Sequence, residues 1–148
     1  METNIRPYEL SDRRTLEHIF MLNSPKYFAP EEVGDFLEYL DMFGDDYVVV
    51  EANGRVVGGG GYWIRSFDKV GGLTWAILHP DFQGTGLGKE LALYRINKIK
   101  EIGTAQRIQV ETSQHSFGFY EKLGFKLVDI QHDYWSDGID LYSAVLEL

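Results

Sequence analysis

Residues 83–89 read Gln-Gly-Thr-Gly-Leu-Gly-Lys, with glycine at every second place and a lysine at the end. They follow an apolar run, Leu73 to Leu78, and the pair His79-Pro80, and they precede an amphipathic segment. A strand, a glycine-rich turn and a helix N-terminus in that order build a site for an anion. The first helical N–H groups have no intrahelical partner. Aligned peptide dipoles place about half a positive charge there. Glycine lets the backbone come close to a phosphate. The spacing therefore predicts a phosphate-bearing ligand over Gln83, Gly84, Thr85, Gly86, Leu87, Gly88 and Lys89.

Three motifs use such a turn. A P-loop needs G-x-x-x-x-G-K-[ST], and Gln83 and Glu90 occupy its two anchor positions. A dinucleotide fingerprint needs G-x-G-x-x-G, and Lys89 stands at its last glycine. The pattern that fits is Q-x-x-G-x-G, read as Gln83, Gly86 and Gly88. A plain strand-to-helix turn without a ligand is the bland alternative. A second segment, Phe119-Tyr120-Glu121-Lys122-Leu123-Gly124-Phe125, bears on the choice. Together the two segments resemble the pyrophosphate loop and the closing FYEKLGF stretch of the Gcn5-related N-acetyltransferases (GNAT), bacterial type. The resemblance runs from about Ile5 to Leu146 and is strongest from Leu73 to Phe125.

That resemblance implies acetyl-coenzyme A as cosubstrate, with no metal, and a primary amine as acceptor. The thioester would lie between the strand Leu73–Leu78 and the strand Gln106–Glu111. Backbone groups near Ile77 and Leu78 would bond the pantetheine arm, and Gln83–Lys89 would hold the diphosphate. Tyr120 would be the general acid at the leaving sulfur, although on spacing alone it is a core aromatic of an amphipathic helix. Ser113 stands where relatives often have an asparagine that contacts coenzyme A. Many relatives place a glutamate on the strand before the loop; here that strand reads LTWAIL and has no carboxylate. Glu111 is the tentative base, with His79 or a water relay as substitutes. Tyr27, Phe28 and Phe36, and from the other end Tyr134 and Trp135, are candidate acceptor contacts, against the plainer reading of all five as packing residues. A coenzyme-A-binding sensor without transfer activity is the alternative that the missing strand carboxylate favours. An interaction module that binds no coenzyme A is a third.

Composition narrows the classes further. The chain has 148 residues, 44% hydrophobic and 25% charged, as expected for one domain over residues 1–148 that needs no staples. Without cysteine there is no disulfide, thiolate ligand or cysteine nucleophile, and the four histidines lack ligand-like spacing. A net charge of −9 argues against nucleic acid or an anionic membrane as partner and fits a cationic amine. The N-terminal residues lack a signal-peptide core and no run approaches a membrane span, so a cytoplasmic location is expected. A homodimer is compatible with the resemblance.

The elements that must position these residues can be read from pattern. Ile5 to Leu10 is an edge strand containing Pro7, and Ser11 or Asp12 caps a helix carrying Leu16, Ile19 and Phe20. A second helix runs from Glu31 or Glu32 to about Phe43, with Val33, Phe36, Leu37 and Leu40 on its apolar face. Tyr47–Glu51 and Arg55–Ile64 flank an Asn53-Gly54 hairpin turn. The second of these strands contains four consecutive glycines, Gly58 to Gly61, the mark of a bulge or of a close approach. Phe67–Gly72 is a turn. A long helix from about Gly86 to Ile102 buries Leu87, Leu91, Ala92, Tyr94, Ile96 and Ile99. A strand over Gln106–Glu111, a short helix capped by Ser113 or Ser116, and a hairpin of Phe125–Gln131 and Ile139–Leu146 complete the chain. The expected class is α+β, three-layer α/β/α, with a mixed, mostly antiparallel sheet and one parallel strand–helix–strand unit.

Overall fold

The computed structural model describes residues 1–148. One seven-stranded sheet runs through the molecule: β1 (Thr3–Pro7), β2 (Tyr47–Ala52), β3 (Arg55–Arg65), β4 (Val70–Leu78), β5 (Arg107–Thr112), β6 (Lys126–Ser136) and β7 (Ile139–Glu147), in the spatial order β1-β2-β3-β4-β5-β7-β6. The helices are α1 (Arg13–Leu22), α2 (Val33–Phe43), α3 (Leu87–Ile102) and α4 (Phe117–Lys122). All neighbours are antiparallel except β4 and β5, which α3 connects as a crossover. No helix is long and apolar enough to cross a membrane.

Side chains alternate across a strand, and β2 exploits this on both faces. Tyr47 and Val49 pack with Leu16, Ile19 and Phe20 of α1 and with Phe36 and Leu40 of α2. Val48 and Val50 point the other way, to Leu87 and Leu91 of α3. Farther along, Ile96 and Ile99 of α3 join Ile108, Val110 and Tyr120. The result is three layers, with α1 and α2 on one face and α3 and α4 on the other, as expected.

Several boundaries differ from expectation. The first strand is Thr3–Pro7, because chain pairing continues from β2 back to Ala52 and Thr3. Asp12 does not cap α1. Its carboxylate takes two bonds from Arg6, at 2.8 and 2.9 Å, and one from the Glu9 N–H. Residues Pro30–Glu32 form a 3-10 turn, so α2 itself begins at Val33. The fourth strand starts at Val70 rather than Leu73, and Gly71 and Gly72 continue the ladder to β3 and β5. Neither serine side chain caps α4; the Ser113 carbonyl instead accepts from Ser116 and Phe117.

The four glycines of β3 are a close approach. A Cβ at Gly60 would sit 2.6 Å from the Cζ of Arg95. The Arg95 side chain is buried, donating to the Gly61 carbonyl at 3.0 Å and to the Leu91 carbonyl at 3.3 Å. β3 is bulged against β2 at Val57, just before the glycines, and a second bulge lies on β4. Gly61 pairs Thr74 and Gly59 pairs Ile77, so β4 spends one residue more than β3 over the same span.

Candidate active site

The bulge in β4 is centred on Trp75, whose backbone has φ of 47°. A tryptophan in that region stores about 1–3 kcal/mol of strain, so its surroundings must hold it. Phe36 and Phe28 lie 5.4 and 6.3 Å from its ring. The Tyr47 hydroxyl donates to the Trp75 carbonyl at 2.9 Å. Burial pushes the Tyr47 phenol well above its usual value, which keeps it a proton donor to that carbonyl. On the other side of β4, pairing with β5 stops at Leu73–Val110. Beyond that point the two parallel strands part, and the β4 edge from Trp75 to Leu78 lies outside that ladder.

A groove of about 520 Å³ opens at this gap and continues over the start of α3. Ile77, Leu78, Gln83, Gly84, Gly86, Gly88 and Lys89 line it. Gly86 precedes the helix with φ of 92°, a backbone that side chains resist. The N–H groups of Leu87, Gly88 and Lys89 are the opening donors of a sixteen-residue helix. Leu87 contributes its backbone alone, since its side chain is in the core. Thr85 turns its hydroxyl to the Phe82 carbonyl. The charged lining is basic: Lys89, Arg95 and Lys122, with no carboxylate. This donor set fits a diphosphate.

Gln83 acts on the loop itself. Its amide donates to Asn23 Oδ1 at 3.0 Å and reaches the Leu78 carbonyl at 3.4 Å. Asn23 in turn donates to the carbonyls of Leu78 and Ile19, at 3.0 and 2.9 Å. A buried asparagine at the end of α1 thus ties α1, β4 and the glycine loop together. Nothing local in the sequence marks Asn23, since an amide just after a helix has no pattern that reveals a partner 55 residues away.

A second, smaller cavity of about 120 Å³ lies between the parted strands and the segment joining α1 to α2. Glu32 and Glu111 are the charged residues in its lining, and Tyr27, Phe28, Trp75 and Trp135 are among its aromatic ones. Glu111, at the end of β5, is exposed. Glu32 is half-buried and its carboxylate accepts the Ala29 N–H at 2.8 Å. Burial raises the Glu32 pKa above the usual carboxylate range; the Ala29 bond offsets part of this, and Asp35 and Glu31 add to it. Trp135 is fixed by a bond from its indole N–H to the Thr112 carbonyl at 3.1 Å.

Tyr120 lines both hollows. It is 6% exposed, on the buried side of α4, with its ring edge-on to Phe119 and Phe125. Ser113 lies in the smaller cavity, where its hydroxyl accepts the His115 N–H at 3.2 Å; the neighbouring Ser116 lines both hollows. Tyr27, Phe28 and Trp135 are brought to the smaller cavity. Phe36 is not, being fully buried against Phe20. Tyr134 stands half-exposed outside both hollows. His79 also lies outside, its Nδ1 accepting the Asp81 N–H in the turn before the loop.

The sequence assigns no site role to Glu32, Asn23 or Arg95. Arg95 did carry a signal, standing four residues after Leu91 and four before Ile99 on the buried stripe.

Residues 14–125 match the model of the Acetyltransferase (GNAT) family. Glucosamine 6-phosphate N-acetyltransferase of Arabidopsis thaliana is 26% identical, over 90% of this chain and 96% of that protein. Ard1 of Thermoplasma volcanium superposes with a TM-score of 0.84 at 18% identity, covering 100% of this chain and 99% of that one. YncA of Salmonella typhimurium, solved with acetyl-CoA, gives 0.75 at 20% identity, over 100% and 95% of the two chains. The family match covers most of the chain, and the chain belongs to the GNAT acetyltransferase family.

Proposed function

We propose that this acyl-CoA-dependent N-acetyltransferase works by direct attack in a ternary complex, with Tyr120 as general acid and Glu111 as proton acceptor. The observation that carries the assignment is the position of Tyr120 where the basic groove and the acidic cavity meet. The amides of Gly86–Lys89, with Lys89 beside them, hold the diphosphate. Ile77 and Leu78 present backbone to the pantetheine arm along the edge that β5 leaves. The thioester carbonyl then lies at the gap, beside the bulge.

The amine nitrogen attacks the carbonyl carbon from the cavity side. Glu111 takes one proton from the ammonium before the attack and passes it to solvent, and a second proton leaves the nitrogen of the tetrahedral adduct for solvent. An N–H of the β4 edge steadies the oxyanion. As the C–S bond breaks, Tyr120 delivers a proton to the sulfur and regains one from solvent. Products are an acetamide and free coenzyme A. Glu111 and Glu32 supply carboxylates that β4 itself lacks, which favours the enzyme over a silent sensor.

The test is thiol release from acetyl-CoA over an amine panel, alongside calorimetry of acetyl-CoA binding. Release with at least one amine supports the assignment. Tight binding with no release for any amine would return the sensor reading.

A further inference from the structure

We propose that the acceptor is a small, unphosphorylated amine that arrives as a cation with an apolar body, its ammonium held by Glu32 against the aromatic wall of the smaller cavity. This rests on the transferase reading and names the acceptor class for the same site.

The argument starts from charge. The cavity lining carries two carboxylates and no lysine, arginine or histidine. An acceptor with a phosphate or carboxylate near its amine would add a negative charge beside Glu32 and Glu111, and no basic side chain in the lining offsets it; Lys26 lies outside the lining, over the Tyr27 ring. A sugar phosphate, the acceptor in the name of one relative, would meet that repulsion here. A cation meets the opposite situation. Besides Tyr120, four aromatic residues from three separate segments line the cavity together with the carboxylates: Tyr27 and Phe28, Trp75, and Trp135. Aromatic faces attract ammonium groups through the ring quadrupole, and their apolar area matches a hydrocarbon body.

The two carboxylates divide the work by exposure. Glu32 is the more enclosed, and burial disfavours its lone charge. A bound ammonium supplies the missing counter-charge. Glu111 faces solvent and can release a proton there. An ammonium has three N–H donors, so one can rest on Glu32 while another proton leaves by Glu111. The cavity of about 120 Å³ that Tyr27, Phe28 and Trp135 help to line is of a size for a small amine.

The experiment compares three acceptors: 2-phenylethylamine, glucosamine 6-phosphate and a short peptide with a free alanine N-terminus. Wild type is expected to acetylate the first with kcat/KM at least tenfold above the other two. Glu32→Gln keeps an acceptor for the Ala29 N–H, and it is expected to raise KM for 2-phenylethylamine about tenfold or more, with acetyl-CoA affinity unchanged. Quenching of Trp75 and Trp135 fluorescence by 2-phenylethylamine, in protein saturated with coenzyme A, reads acceptor binding without transfer. Quenching lost in Glu32→Gln supports the proposal. Preference for the phosphorylated sugar or the peptide, or identical quenching in wild type and variant, overturns it. Quenching without thiol release would instead overturn the transferase reading and leave the cavity as a binding site for such an amine. Should Glu32→Gln lose acetyl-CoA binding as well, Glu32→Asp decides: quenching weakened with acetyl-CoA binding intact supports the proposal, and unaltered quenching overturns it.

Discussion

The groove and the cavity that meet at Tyr120 are made in opposite ways. The groove takes its specificity from main chain: the opening amides of α3, a left-handed glycine and the free edge of β4. Its nearby charges are positive. The cavity takes its character from side chains, two carboxylates and a set of aromatic rings delivered by residues far apart in the chain. Main-chain recognition tolerates many sequences so long as the path of the backbone is kept. Side-chain recognition changes with one substitution. A common cosubstrate and a variable acceptor fall naturally on the two sides of that divide.

The most damaging test of the boundary is Tyr120→Phe. Loss of one acid group lowers kcat by about 10²-fold or more, while acetyl-CoA affinity, set by the groove, stays near wild type. A drop in both would mean that Tyr120 is a wall and not an acid.

The next largest effect belongs to the cavity and depends on pH. Glu32 must be ionised to hold an ammonium, and burial raises its pKa above the ordinary carboxylate range. Well below that pKa, KM for a cationic amine should climb about tenfold per pH unit, the slope of one titrating group. KM for acetyl-CoA should stay flat, and Glu32→Gln should abolish the dependence. For stability the sign is reversed. The folded form binds the Glu32 proton more tightly than the unfolded form. Stability from this group is therefore full below the unfolded pKa and lost as pH rises through the raised one. Denaturant melts of wild type and Glu32→Gln as a function of pH check this.

Gly86→Ala attacks the groove through its backbone. A Cβ at φ of 92° costs about 1–2 kcal/mol, which should appear as roughly tenfold weaker acetyl-CoA binding by calorimetry. Acceptor KM at saturating acetyl-CoA should be untouched.

Tyr47→Phe removes the bond to the Trp75 carbonyl and leaves that carbonyl unpartnered. A loss of about 1–2 kcal/mol is expected in urea unfolding. Because Trp75 borders the cavity and not the groove, kcat and acceptor KM should suffer before acetyl-CoA affinity does.

The smallest change is Lys89→Ala. Lys89 is exposed, so its charge is worth about 1 kcal/mol or less. Acetyl-CoA affinity should fall only a few-fold, and the difference should fade near 1 M salt, where screening acts over about 3 Å.

The same contrast explains what could be read in advance. Gln83 to Lys89 are adjacent in the chain, so their amides converge wherever a strand, a turn and a helix follow one another. The motif and the site are nearly the same object. The layer order was legible too, because Val48–Val50 and the stripe Leu87–Leu91–Ile99 bury both faces of a sheet. Glu32 was another matter. As a first-turn acid after Pro30 it reads as a helix-dipole residue, and nothing local tells which way the segment joining α1 to α2 leans. Arg95 stands at a buried-stripe position, but its charge reads as solvent-facing until the glycines of β3 are set opposite it. The start of β4 was misplaced because Gly71 and Gly72 resemble a turn, while Ile99 and Trp63 use the space that they leave.

By itself, then, the chain determined a glycine-rich turn between a strand and a long helix, a three-layer arrangement and the place of the short helix that carries Tyr120. Each depends on residues within one turn or one strand of each other, where covalent geometry alone fixes who meets whom. Only tertiary structure decided that Asn23 clamps the loop, that Trp75 is bent and braced by Tyr47, and that Glu32 and Glu111 share one aromatic chamber. Those meetings span tens of residues. They arise because burying apolar faces on both sides of the sheet leaves the parted strands a single place to open, and side chains gather there from whichever segments the packing brings.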